Sequence, residues 1–254
     1  DMTINAQGAY RSSSDALDFD NGEEILVERV KIIGSRSRGI VIDGKDSGST
    51  ADRNIIKDCI ITGIPDDGIE FLASTQNTVQ GCKIYDISGH GIQINKASPS
   101  AAQPNKQSNY NTIIGNDIYN VGKDGINITS SNYNIISGNT VVNSADDTSS
   151  RDGIRLDDSD TISCNYNIIT NNVVTDDQTP KTQRYGINIS SSTCTNNMAS
   201  NNYIEGNLLS QFNDAGTGTY YAQYINGNQI LAKTGNVGIG TVAPNAPLEI
   251  LSTS

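Results

Sequence analysis

Residues Gly125–Asn143 read GINITSSNYNIISGNTVVN, and the way this stretch recurs decides the fold. Apolar residues alternate over a few positions, break at small and polar residues, then alternate again, and the same text returns along the chain. Two anchors align the copies. The Gly of G-I-x-I falls at Gly39, Gly68, Gly91, Gly125, Gly153 and Gly186, with Ala16 opening a degenerate first copy. The Asn of N-x-I falls at Asn54, Asn77, Asn111, Asn134, Asn167 and Asn197, with Ile25 in the first copy. From Ile25 to Gly39, Asn54 to Gly68, Asn77 to Gly91 and Asn111 to Gly125 the interval is 14 residues; after Asn134 and Asn167 it is 19.

Short strands of constant length, with loops that vary only at defined corners, are what the stacked coils of a parallel solenoid require. In the first strand Ile40/Ile42, Ile69/Phe71, Ile92/Ile94, Ile126/Ile128, Ile154/Leu156 and Ile187/Ile189 keep period two and must point inward. A second inward column runs Ile56, Val79, Ile113, Ile136, Ile169, Ala199, and a third runs Ile61, Ile84, Ile118, Val141, Val174, Ile204. Three columns make a three-sided apolar core. Between the second and third lie Cys59, Cys82, Asn116, Asn139, Asn172 and Asn202, so two turn positions per coil carry stacked Asn or a small substitute, whose amides can bond from rung to rung. A helical repeat is disfavoured, because Gly, Asn, Thr and Ile at this density are poor helix formers and no helical period is present.

This pattern, over about Ala16 to Asn207, resembles the right-handed parallel β-helix of the pectin-lyase-like superfamily. The resemblance supplies the hand and implies an all-β fold: a three-sheet solenoid of about seven coils over residues 1–211, with a small C-terminal β segment over 212–254. Beyond Gln211 the repeat fails, and Gly216-Thr217-Gly218-Thr219 reads as a linker. Farther on, Asn236-Val237-Gly238-Ile239-Gly240-Thr241, then Pro244 and Pro247-Leu248-Glu249-Ile250, resembles a segment near the C-terminal end of phage tail fibres and tailspikes. At the other end Met2-Thr3-Ile4 fits the second strand of a coil whose beginning is absent, as in a fragment of a longer chain.

With 17 basic and 28 acidic residues among 254, the net charge is −11, which argues against nucleic acid or an anionic membrane as partner. It also counts against a strongly anionic polysaccharide unless a cation intervenes. No spanning segment is present. Cys59 and Cys82 share one column on adjacent coils, as do Cys164 and Cys194; the first pair is expected as free buried thiols, the second is open between thiols and a disulfide.

Long insertions at 45–53 and 96–109, a moderate one at 157–164 and shorter ones at 144–151 and 175–184 border the outer face of the first sheet and should wall a groove. On that face the residues before each Gly are Arg38, Asp67, His90, Asp124, Asp152 and Tyr185, preceded in places by Asp66, Lys123, Arg151 or Arg184. Along the strands follow Glu70, Gln93, Asn127, Arg155, Asn188 and, farther on, Asp43, Asn95, Thr129, Asp157. Acids, bases and cations all occur there. Binding is expected at Glu70, Gln93, Asp124, Asn127, Arg151, Asp152, Arg155, Asp157 and Arg184. Asp66-Asp67-Gly68 followed by Gly89-His90-Gly91 resembles the D-D and G-H-G motifs of the polygalacturonase family of inverting glycoside hydrolases. That resemblance implies catalytic roles for Asp66, Asp67 and His90. The N-T-D and R-I-K motifs of that family are absent, and Asp before Gly is also a structural choice at a turn. A lyase or epimerase would instead use Arg151, Asp152, Arg155 and Asp157, with Asp holding Ca²⁺; no cofactor is otherwise expected. Tyr110, Tyr133 and Tyr166 should stack outward on three successive coils.

The expected function is binding of a polysaccharide or cell-surface glycan by an extracellular or virion-surface protein, the receptor-binding part of a phage tailspike or fibre, as a homotrimer. A polysaccharide-degrading hydrolase or lyase and a non-catalytic structural spacer are the alternatives.

Overall fold

The computed structural model describes residues 2–5, 15–46, 51–145, 151–159, 162–225, 228–231, 237–239 and 248–250, with side chains to residue 220. Among these there is no helix: the chain is a parallel β-helix. The first sheet stacks eight strands in chain order, Leu17–Asp20, Ile40–Asp43, Ile69–Leu72, Ile92–Asn95, Ile126–Thr129, Ile154–Asp157, Tyr185–Ile189 and Ser210–Asp214. Three-residue strands from Leu26–Glu28 to Ile168–Thr170 form the second sheet, and strands from Met2–Asn5 through Val173–Thr175 the third. The two meet in Met198–Glu205, whose halves continue both ladders.

The register is the one the anchors impose. Ile40, Ile69, Ile92, Ile126, Ile154 and Ile187 lie one above another, and all three inward columns are buried. Both turn ladders form. Each Asn donates its backbone N–H to the Oδ1 of the next, as from Asn116 to Asn139 at 2.9 Å and from Asn139 to Asn172 at 2.9 Å, and the other ladder runs from Asn54 to Asn197 in the same way. These bonds satisfy turn amides that the sheets cannot reach. All four cysteines are free and buried.

The Gly column is set by close approach. A Cβ on Gly91 would lie 2.6 Å from the carbonyl oxygen of Gly125 and 2.6 Å from a methyl of Ile118. Gly91→Ala is therefore expected to cost about 2–3 kcal/mol by overpacking. Gly115→Ala, at φ +64 with nothing within 4 Å, should cost only about 1 kcal/mol, the left-handed penalty. Urea unfolding of both variants checks the ranking, and equal midpoints would refute the close-approach account.

Two readings change. Met2–Asn5 pairs with Val30–Ile33 of the third sheet, not the second, because alternation looks alike in every sheet and the corner between was of unknown length. Past Gln211 the ladder continues: Ser210–Asp214 pairs with Tyr185–Ile189, and Tyr220–Ile225 pairs with Met198–Glu205. Gly216–Thr219 is the turn of that last coil and not a linker. Thr217 bridges Thr195, and Gly218 (φ +70) repeats the left-handed position of Tyr110, Tyr133, Tyr166 and Asn196. Thr219 stands, buried, where the Asn anchor should be. Of the tail-like segment, 236 and 240–247 lie outside the described residues; Val237–Ile239 pairs in parallel with Leu248–Ile250.

Candidate functional site

The positions before each Gly form one column on the outer face of the first sheet, and much of it is structural. Asp67 Oδ1 accepts the backbone N–H of His90 at 2.7 Å, Asp124 Oδ1 that of Asp152 at 2.6 Å, and Asp152 Oδ1 that of Tyr185 at 3.3 Å. Asp15 does the same for Arg38 at 2.8 Å. A carboxylate here ties its coil to the next, the role that Asp plays at turns generally.

Around this column the expected residues gather in one strip across five coils. Asp67 and His90 are buried, while Asp66 is partly exposed with Lys123 Nζ 3.7 Å away. Glu70 is buried against Arg38, which also pairs with Asp15 at 3.0 Å. Gln93 lies in register between Glu70 and Asn127. Asp152 is fully buried and receives Arg184 bidentately at 2.9 and 2.7 Å, and Asn188 at 2.7 Å. Arg155 pairs with Asp157 at 2.7 Å, and Asp157 also accepts the Ser190 hydroxyl. Among the described residues, no three His, Cys, Asp or Glu groups converge as a cation cage.

Burial raises Asp67 to about 7, and Glu70 and Asp66 push the same way. Burial together with Asp152 raises Asp124 to about 6. Burial drives His90 down to about 3, aided by Lys123 and Arg151. His90 Nδ1 and Asp124 Oδ2 face each other at 3.4 Å, so near neutral pH the imidazole is uncharged and the two do not form an ion pair. Both atoms are buried without a hydrogen bond, as are Asn127 Oδ1 and Arg155 Nε, though Arg151 stands 3.6 Å from Asp124 Oδ2 as an ion pair. The floor of the strip is thus acidic and incompletely satisfied. Its solvent side carries Lys123 and Arg151, 39% and 36% exposed, together with Asp66 at 46%, against 0% for Asp124.

One edge of the strip is walled. The 96–109 loop reaches back to the Lys45 carbonyl through the Gln103 N–H at 3.1 Å, and forward to the Ser130 and Ser163 carbonyls through Gln107 at 2.9 and 3.3 Å. Of the loops expected there, 47–50, 146–150 and 160–161 lie outside the described residues. Arg38, Lys123 and Asn188 were in the aligned columns but outside the expected site. Asp15 was missed because its copy opens on Ala16, without the Gly that marks the column. Tyr110, Tyr133 and Tyr166 do stack, with centroids 5.0 and 5.1 Å apart, on another corner of the coil.

Parallel coils, paired asparagine ladders and a charged outer strip on the first sheet define a polar-faced β-solenoid. The chain belongs to the right handed beta helix family, whose model matches residues 3–106 and 104–232. By sequence no curated protein matches it. In structure it is similar to the A-module of mannuronan C-5 epimerase AlgE4 from Azotobacter vinelandii (TM-score 0.63, 13% identity, 87% of this chain and 57% of that one). It is also similar to a variant of the periplasmic alginate epimerase AlgG (0.62, 15%, 83% and 47%) and to the Agl-KA catalytic domain (0.58, 16%, 80% and 37%). The chain therefore spans from about a third to somewhat over half of the structures it resembles, and at these identities the likeness is one of fold.

Proposed function

We propose that the chain binds a polysaccharide along the outer strip of the first sheet, as the glycan-recognising part of an extracellular or virion-surface protein of the tailspike or tail-fibre kind. The observation that carries this reading is the strip itself: exposed Lys123 and Arg151 above buried, partly unsatisfied His90, Asp124, Asn127 and Arg155, on rigid strands. A net charge of −11 would repel an acidic glycan elsewhere on the surface, but here Lys123 and Arg151 are exposed, with Asp66 as the accessible acid beside Lys123, and the two cations suit sugar carboxylates. Of the similar folds, one is a mannuronan C-5 epimerase and one an alginate epimerase by name, which agrees with a polyuronate as first probe.

Alginate should bind the chain in calorimetry and dextran should not, with affinity falling as salt is raised. The double variant Lys123→Ala/Arg151→Ala should weaken alginate binding about tenfold or more while remaining folded at the assay temperature, with a lowered unfolding temperature because Arg151 pairs with the buried Asp124 at 3.6 Å. Absence of binding, or binding indifferent to both substitutions, would overturn the assignment.

A polysaccharide-cleaving enzyme is the second reading, favoured by Asp67, which keeps its proton up to about pH 7 beside the more exposed Asp66, giving an acid and a base on one turn. Reducing-end or unsaturated products from alginate or polygalacturonate, abolished by Asp66→Asn, would support it. Products unaffected by that change would remove these residues from the chemistry.

A further inference from the structure

The outer column of the third sheet runs Thr62, Tyr85, Tyr119, Val142 and Thr175 in strict register. Tyr85 and Tyr119 stack with centroids 4.8 Å apart and planes within 2°. The next rung offers only Val142, whose side chain ends where a tyrosine ring begins. The Tyr119 ring therefore projects past its neighbour, and among the described residues none covers the face turned away from Tyr85.

That step opens a concavity of about 370 Å³, lined by Asp117, Tyr119, Asn120, Thr140, Val142 and Asn143. Asn120 and Asn143 occupy the same left-handed turn position on successive coils, φ 53° and 57°, which brings two amides to one side of the ring. Asn143 Oδ1 already accepts the Asp177 N–H at 3.0 Å, so its amide N–H groups are what it offers a ligand. An aromatic face bordered by amides, a hydroxyl and a carboxylate, in a space of this size, fits one sugar ring. The charged side chain of the lining is Asp117, which accepts hydroxyl groups and repels a uronate.

We propose that this step is a glycan subsite on the third sheet, separate from the first-sheet strip, for a neutral pyranose of an oligosaccharide. The C–H face of the sugar lies on the free face of Tyr119, and its hydroxyls bond Asp117, Asn120, Thr140 and Asn143.

The test is saturation-transfer NMR and calorimetry of the whole chain with maltohexaose, cellohexaose, laminarihexaose and xylohexaose. At least one should bind. Tyr119→Phe should keep that affinity, and Tyr119→Ala should lower it about tenfold. Val142→Tyr extends the stack over the open face, as Tyr110, Tyr133 and Tyr166 extend theirs. It should raise the unfolding temperature and abolish binding, which guards against a variant that merely misfolds. Binding by none of the four, or binding that survives Val142→Tyr, overturns the proposal. Because these probes are neutral, the outcome is independent of the alginate result.

Discussion

Asn139→Ala should destabilise the chain by at least about 3 kcal/mol, more than a typical core truncation of the same size would suggest. The side chain of Asn139 is a hub and not a filler. Its Oδ1 accepts the backbone N–H and the side-chain amide of Asn116, both at 2.9 Å. Its own amide donates to the Ile113 carbonyl and to Asn172 Oδ1, both at 3.0 Å. Alanine removes four buried bonds: the Asn116 N–H and the Ile113 carbonyl lose this partner, while Asn116 Nδ2 keeps the Val79 carbonyl and Asn172 Oδ1 keeps the Asn139 N–H. An unmade bond costs about 1–3 kcal/mol in a site that water does not reach. Because each coil contacts only its neighbours, the break also weakens the coupling between the two halves of the solenoid. Urea unfolding should show a lowered midpoint, and hydrogen exchange should rise first in the rungs around Asn116 and Asn172. A loss under about 1 kcal/mol would mean the ladder is ornamental.

Asp67→Asn should stabilise the chain increasingly as pH rises. Asp67 is an acid whose folded value, about 7, lies above its ordinary 3.8, so between these pH values the folded chain holds a proton that the unfolded chain has released. Its contribution is therefore favourable at low pH, is lost as pH rises from about 4 to about 7, and is flat beyond. The gap sets a ceiling of about 4 kcal/mol. Asparagine keeps an oxygen for the His90 N–H and cannot ionise. Relative to wild type the variant should be near neutral at pH 4 and more stable at pH 8. His90, lowered to about 3, works oppositely: its contribution falls on acidification below its ordinary 6.5. It is common to both proteins, so the difference curve isolates Asp67. Parallel stability profiles from pH 4 to pH 8 would refute the buried, protonated state.

The same experiment bears on the site. Asp67 was expected to act on substrate by its resemblance to a hydrolase motif, and its geometry shows a carboxyl enclosed by its own fold and bonded to the next coil. Asp124 and Asp152 repeat that bond on rungs where no such motif occurs. A motif read along the chain could not separate these roles, because both call for Asp before Gly at a turn into a strand.

Period-two alternation, constant strand lengths and recurring Gly and Asn anchors were enough, without coordinates, to determine the parallel solenoid, its inward columns, its two amide ladders and the tyrosine stack. Each follows from neighbouring rungs that must superpose about 4.8 Å apart, a condition a repeat writes into every copy. Only the tertiary structure decided which sheet receives Met2–Asn5, that a Thr219 anchor carries one more coil, and which charges lie buried under which cations. It also decided that, among the described residues, Val142 leaves Tyr119 open on one side. Those depend on loop lengths and on side-chain heights across the stack, which vary from coil to coil and leave no period to read.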